Sequence, residues 1–152
     1  MDPIAEDILT FWFETTDLSA DHDKRQVWFR STPEFDGHLI DNYTAIHERA
    51  AAGDLDHLME SAEDCLTLII ALDQFPRNIF RGTSRAFASD PKARDVARHA
   101  LACGYDQIFS RWPKTFAYLP FEHSEELADQ ERALELYMSL DNEESMKSAI
   151  GH

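Results

Sequence analysis

The sequence predicts an all-α fold of stacked antiparallel helix pairs. Three observations carry that expectation. A capping side chain stands directly before proline at Asp2-Pro3, Thr32-Pro33 and Asp90-Pro91. That pairing starts helices, because the first turn does not use the N–H that proline lacks. Behind these starts, apolar residues recur every three or four positions. Glycine is scarce, with five in 152 residues, whereas a fold of many tight β-turns calls for it repeatedly.

The first helix begins at Asp2-Pro3, carries Ile4, Ile8, Leu9, Phe11 and Trp12 at helical spacing, and is expected to run to about Thr15. Asp17 to His22 reads as a loop, followed by a short helix with Val27, Trp28 and Phe29. Thr32-Pro33 starts the clearest amphipathic helix. Its stripe is Phe35, Leu39, Ile40, Tyr43, Ile46 and Ala50, and Gly53 ends it. Ser61 and Asp64 resemble a capping box ahead of Cys65 to Phe75, which is apolar nearly all round and predicts a central buried helix. Pro76 ends that helix or starts a short turn. Asp90-Pro91 opens the next helix, with Ala93, Val96, Ala97, Ala100 and Leu101 inward and Gly104 as its stop. Pro113 and Pro120 bracket a short helix holding Phe116, Tyr118 and Leu119. Ser124 caps another, with Leu127, Leu134 and Tyr137 on one face, and Asp141 or Asn142 caps a last acidic segment with Met146 and Ile150. No linker divides the chain, so residues 1–152 are expected to form one helical domain.

Composition narrows the function classes. The net charge is −15, which repels nucleic-acid phosphates and anionic membranes. No apolar run reaches membrane-spanning length, and the acidic start lacks the basic segment of a signal peptide. Cys65 and Cys103 form no C-x-x-C pair. Both sit among apolar helical positions, as buried reduced thiols of a cytoplasmic protein would. Phosphate-loop, dinucleotide, zinc-protease and serine-hydrolase motifs are absent, and the seven histidines show no metal-ligand spacing. No cofactor or metal is implied.

Two polar segments stand out inside apolar surroundings. One is Leu72-Asp73-Gln74-Phe75-Pro76-Arg77-Asn78-Ile79-Phe80-Arg81-Gly82-Thr83; the other is Tyr118-Leu119-Pro120-Phe121-Glu122-His123-Ser124-Glu125, followed by Asp129-Gln130. Charges near a core are costly unless paired, so Asp73, Glu122 and Asp129 call for partners such as Arg77 or Arg81. One reading is a buried ion-pair network joining helix pairs. The other is a pocket in which Glu122 or His123 acts as general acid or base and Asp73, Gln74, Arg77, Asn78, Arg81, Asp129 and Gln130 hold a ligand. Arg77, Arg81, Arg85, Lys92, Arg94 and Arg98 add a basic island opposed locally only by Asp90 and Asp95. Such an island either focuses an anionic ligand or neutralises the chain's own acidic helices.

The same segments, with Ile8-Leu9-Thr10-Phe11-Trp12-Phe13, Trp28-Phe29 and Ala86-Phe87-Ala88, resemble the bacterial domain-of-unknown-function 924 family over nearly the whole chain. The resemblance implies an all-α fold similar to tetratricopeptide-type helix stacks, and it implies no activity, substrate or cofactor. It also implies a continuation past Ser148-Ala149-Ile150-Gly151-His152, with a second Phe-Pro-His-Arg-Asn stretch that this sequence lacks. An apolar face near Met138, Met146 and Ile150 is therefore expected to be partly uncovered, awaiting a second protomer or further chain.

The leading expectation is a binding module that holds a protein, peptide or small anionic molecule in a groove between helix pairs. The alternative is a hydrolase-like small-molecule enzyme with Glu122 and His123 as acid/base and Arg77 and Arg81 as an anion clamp. Nucleic acid and membrane are not expected as partners, and a homo-oligomer is possible.

Overall fold

The computed structural model describes residues 1–150, with the side chains of Ser145 and of residues 147–150 left aside. Among the described residues there is no strand. Seven α-helices follow one another among the described residues: α1 (Pro3–Phe13), α2 (Pro33–Ala52), α3 (Ala62–Asp73), α4 (Phe75–Ile79), α5 (Asp90–Ala102), α6 (Arg111–Glu122) and α7 (Leu127–Ile150). Short 3-10 turns at Gln26–Trp28, Asp56–Glu60, Ser84–Phe87 and Tyr105–Ile108 fill the connections. The chain is thus all-α, as its capping signals predict. No helix among the described residues is long and apolar enough to cross a membrane.

Two starts have the expected chemistry. Asp2 Oδ1 accepts from the Ile4 N–H at 2.8 Å, and Thr32 Oγ1 accepts from Phe35 at 3.1 Å. Gly53 takes φ 90° at the end of α2, where a side chain would be strained, and lets the Asp54 N–H return to the Arg49 carbonyl at 3.0 Å. α1 stops two residues before the expected Thr15, because Glu14 turns left-handed at φ 62° and pairs with Arg25 at 2.8 Å.

Other expectations are corrected. Ser61 stands at the start of α3, but its side chain makes no capping bond; the Asp64 carboxylate is drawn instead towards the Asp2 N–H at 3.4 Å. Pro113 and Pro120 lie inside α6 rather than bracketing it. No cap interrupts the chain at Asp141 or Asn142. α7 runs through both, since no glycine or proline intervenes, Leu140 is buried, and Lys114 binds Glu143 at 2.7 Å. Cys65 is buried, and burial pushes its thiol up to about 12, but Cys103 is exposed; both are reduced.

α3 is the hub. Every residue from Cys65 to Asp73 is buried, and the helix packs against α1, α2, α4, α5 and α6. Trp12 of α1 meets Phe116 of α6 edge-on at 5.5 Å and Phe75 of α4 at 5.9 Å. Ile40 leaves the predicted stripe of α2 and is exposed. α7 packs chiefly on α6, and its Ala133, Leu136 and Tyr137 join the core. Its other side therefore stays open: Leu127, Leu134, Met138 and Met146 are 57–73% exposed. The expected buried face of Leu127, Leu134 and Tyr137 holds only for Tyr137, and Ile150 lies outside the described side chains.

Candidate functional site

The site grows out of the break between α3 and α4. Pro76 has no N–H, so the Leu72 carbonyl loses the donor that a continuing helix would give it. Side chains from distant elements meet the carbonyls here. The Ser89 hydroxyl donates to Leu72 at 2.6 Å, His47 Nδ1 donates to Ala71 at 2.8 Å, and Arg77 Nη1 donates to Asp73 at 2.6 Å. The polar segment around Pro76 is thus bound into the core at one point on each residue from 71 to 73.

Asp73, 1% exposed, is the centre of a network. Its Oδ2 accepts from Gln74 Nε2 at 2.7 Å and its Oδ1 from His123 Nδ1 at 2.8 Å, with Arg77 Nη1 3.5 Å away. Arg77 makes a two-pronged contact with Asp90, at 2.8 and 2.9 Å. Burial works against the Arg77 charge, but the Asp90 bonds and the Asp73 charge outweigh it and hold its pKa above the ordinary value. Asp90, expected as a helix-starting residue, opens α5 with its carboxylate committed to this contact rather than to a cap.

His123 lines two adjoining depressions of about 320 and 330 Å³, which share Phe87, Asp90 and Glu125. Arg94, Ser124 and Glu126 complete one; Arg77 completes the other. Because Nδ1 is committed to Asp73, the other imidazole nitrogen is the one left for the cleft. Arg94 differs from its neighbours. It lies 3.8 Å from Asp129, with no hydrogen bond among the described residues, although its side chain is only 18% exposed. Phe87 is largely exposed, and the Arg77 guanidinium sits 5.3 Å from its ring centre.

The other candidate residues lie at two further junctions. Asn78 and Arg81 both bind Asp36 of α2, at 2.9 Å and at 3.0 and 3.1 Å. Burial opposes the Asp36 charge, yet bonds from Arg81, Ser31 and Asn78 hold its carboxyl below the ordinary 3.8. Asp129 takes the Ser124 hydroxyl at 2.7 Å and Arg98 at 2.9 and 3.1 Å. Here too burial opposes the charge, and the bonds and the Arg98 and Arg94 charges keep it low. Gln130 Nε2 donates to the carbonyls of Glu122 at 2.6 Å and Ser124 at 2.5 Å, closing the end of α6. The Glu122 side chain is exposed and faces Tyr137, whose phenol is pushed up by burial and then by Glu122 and Asp73. The structure therefore brings Asp73, Gln74, Arg77 and His123 together, and sets Asn78, Arg81, Asp129, Gln130 and Glu122 apart from them.

The basic island is largely neutralised by the chain's own carboxylates. Arg81 pairs with Asp36, Arg85 with Glu48, Lys92 with Asp56, and Arg98 with Asp95 and Asp129. Sequence reasoning missed Asp90, Arg94 and Phe87 as walls of the cleft. Asp90 reads as a capping residue and Arg94 as one basic residue of six; only the fold singles them out. No group of three or more His, Cys, Asp or Glu among the described residues could hold a metal ion.

The comparisons agree with this architecture. A solved structure of the protein of unknown function ATU0120 from Agrobacterium tumefaciens superposes with a TM-score of 0.80 at 39% identity, covering 98% of this chain and 83% of that one. No curated protein matches the sequence. The model of the family described as "bacterial protein of unknown function (DUF924)" matches residues 8–151, and the chain belongs to that family.

Proposed function

We propose that this protein is a helical binding module that takes a small anionic molecule into the cleft between the Ser84–Phe87 turn, the start of α5 and the α6–α7 turn. One observation carries the reading: Arg94 lines the cleft beside His123, mostly buried and without a hydrogen bond among the described residues. A guanidinium has five N–H donors, and 3.8 Å is too long for a hydrogen bond, so beside its ion pair with Asp129 its donors are left to meet a carboxylate or phosphate. Asp90, Glu125 and Glu126 share the walls, which disfavours a bare polyanion. The ligand that fits carries an anionic group for Arg94 and a hydroxyl or ammonium for the carboxylates. Reduced thiols and the acidic composition support placing this activity in the cytoplasm, and the stacked helix pairs support the likeness to tetratricopeptide-type arrays.

Thermal unfolding with lactate, serine and phosphoethanolamine, on wild type and Arg94→Gln, tests the reading. A ligand held only by the native state at a hundred times its Kd adds about 2.7 kcal/mol of apparent stability. The expected result is a saturating rise for wild type that Arg94→Gln loses while its ligand-free midpoint stays close. No rise with any of the three, or an equal rise in the variant, overturns it.

The Asp73–His123 contact favours a second reading, a hydrolase-like site. Asp73 would orient His123 as general acid or base, and Arg77 would steady Asp73. This uses Asp73 in the place first expected for Glu122. It predicts that His123→Gln removes turnover of a bound ester while keeping the ligand-induced thermal rise.

A further inference from the structure

A larger groove lies elsewhere, between the last turns of α2 and the segment from Arg85 to Lys92, with a volume of about 560 Å³. Ala51, Ala52, Ala88 and Pro91 give it an apolar floor with no long side chain in the way. A row of small residues alone says nothing about a ligand. His47 supplies a second and independent observation. It lines the groove and is 6% exposed, and its Nδ1 is pinned as a donor to the Ala71 carbonyl at 2.8 Å. A carbonyl only accepts, so Nδ1 carries a proton, and when the ring carries that proton alone Nε2 is an acceptor. Nε2 has no partner among the described residues. The Phe80 ring, edge-on at 5.7 Å, helps fix the imidazole.

The rim carries the opposite preference. Arg85 is held 4.0 Å over the Phe80 ring, and its contact with Glu48 is long, at 3.4 Å, between two well-exposed side chains. Such a pair is weak and exchangeable. Lys92 stands on the same rim, 2.8 Å from Asp56. An acceptor sunk in the wall, an apolar floor and cations at the mouth describe a ligand with three parts.

We propose that this groove is a second ligand site, for a small carboxylate with an apolar body and a hydroxyl at its far end. The hydroxyl donates to His47 Nε2, the body lies on the alanines, and the carboxylate replaces Glu48 on Arg85. The site is independent of the cleft at His123, and the two face different sets of residues.

The experiment is a residue-resolved NMR titration of the full chain with para-hydroxyphenylacetate, with phenylacetate as the comparison. The expected result is saturable shifts at His47, Ala51 and Ala88. Without the hydroxyl, binding weakens about tenfold, because a sunken acceptor is then left unsatisfied. Ala88 is exposed, so Ala88→Leu is expected to fold normally and to abolish the shifts by filling the floor. Arg85→Gln weakens binding with the shift pattern intact. Shifts that do not saturate, that appear at His123 instead, that are equal for phenylacetate, or that persist in Ala88→Leu overturn the proposal.

Discussion

At the scale of single residues, arginines of one short stretch divide into those whose hydrogen bonds hold the fold and Arg94, which has only a long ion pair with Asp129 among the described residues. Arg77 neutralises Asp73 and Asp90, whose side chains are 1% and 12% exposed, and also binds the Asp73 carbonyl. Arg77→Ala strands the Asp90 carboxylate, while Asp73 keeps Gln74 and His123, and is expected to cost about 3–5 kcal/mol in urea unfolding. Arg77→Lys keeps the charge but not the two-pronged fork, so it recovers only part of that. Arg94→Gln is expected to cost less than about 1 kcal/mol, because Asp129 keeps Arg98 and the Ser124 hydroxyl. If Arg94→Gln is as destabilising as Arg77→Ala, Arg94 is structural and the cleft reading fails. Asp36 supplies a pH test. Its folded-state pKa lies below the ordinary 3.8, so its stabilisation is present above that value and is lost as pH falls through the folded pKa. Asp36→Asn is expected to flatten the acid limb of the stability curve below about pH 4 relative to wild type. An unchanged limb would show that the Asp36 contacts do not hold in solution. The pairing of Asp73 with Arg77 is legible in the sequence, since four residues separate two charges beside a proline. The contact of Asp73 with His123 is not, because the chain travels through α5 and α6 before it returns.

At the scale of elements, α3 is legible because its residues are apolar on all sides, which only a helix surrounded by others can satisfy. Ile69 is 1% exposed at its middle, and Ile69→Ala is expected to lower stability by about 2–5 kcal/mol, measured by denaturant midpoint. A shift well under that range would place Ile69 at a site able to collapse. The ends of α6 and α7 are less legible. Proline and the capping residues Asp141 and Asn142 resemble breaks, but they are weak signals beside continuous packing. Tyr118 donates to Asp106 at 2.7 Å and locks α6 to the preceding turn. Lys114 holds Glu143 beyond the supposed break in α7. Amide exchange is therefore expected to be continuous in protection from Leu136 through Asn142; a fast-exchanging gap at Asp141 would restore the two-helix reading.

At the scale of the whole molecule, helix ends converge on the cleft. The C-terminus of α3, the N-terminus of α5 and the α6–α7 turn contribute Asp73, Asp90 with Arg94, and His123. Orphan backbone groups collect at such ends, and polar side chains are drawn there to meet them. The same convergence leaves a cleft whose Arg94 makes no hydrogen bond among the described residues, within a chain of strongly acidic composition. The central claim is that Arg94, in the cleft that His123 lines, holds the anionic group of a small ligand. Side-chain nitrogen spectra of the isotope-labelled protein, titrated with phosphoethanolamine, test it most directly. The account predicts that the Arg94 guanidinium and His123 imidazole signals move together and saturate at one concentration, while those of Arg81 and Arg85 stay still. Movement of Arg81 or Arg85 with Arg94 and His123 unchanged, or no saturable movement at all, would contradict it.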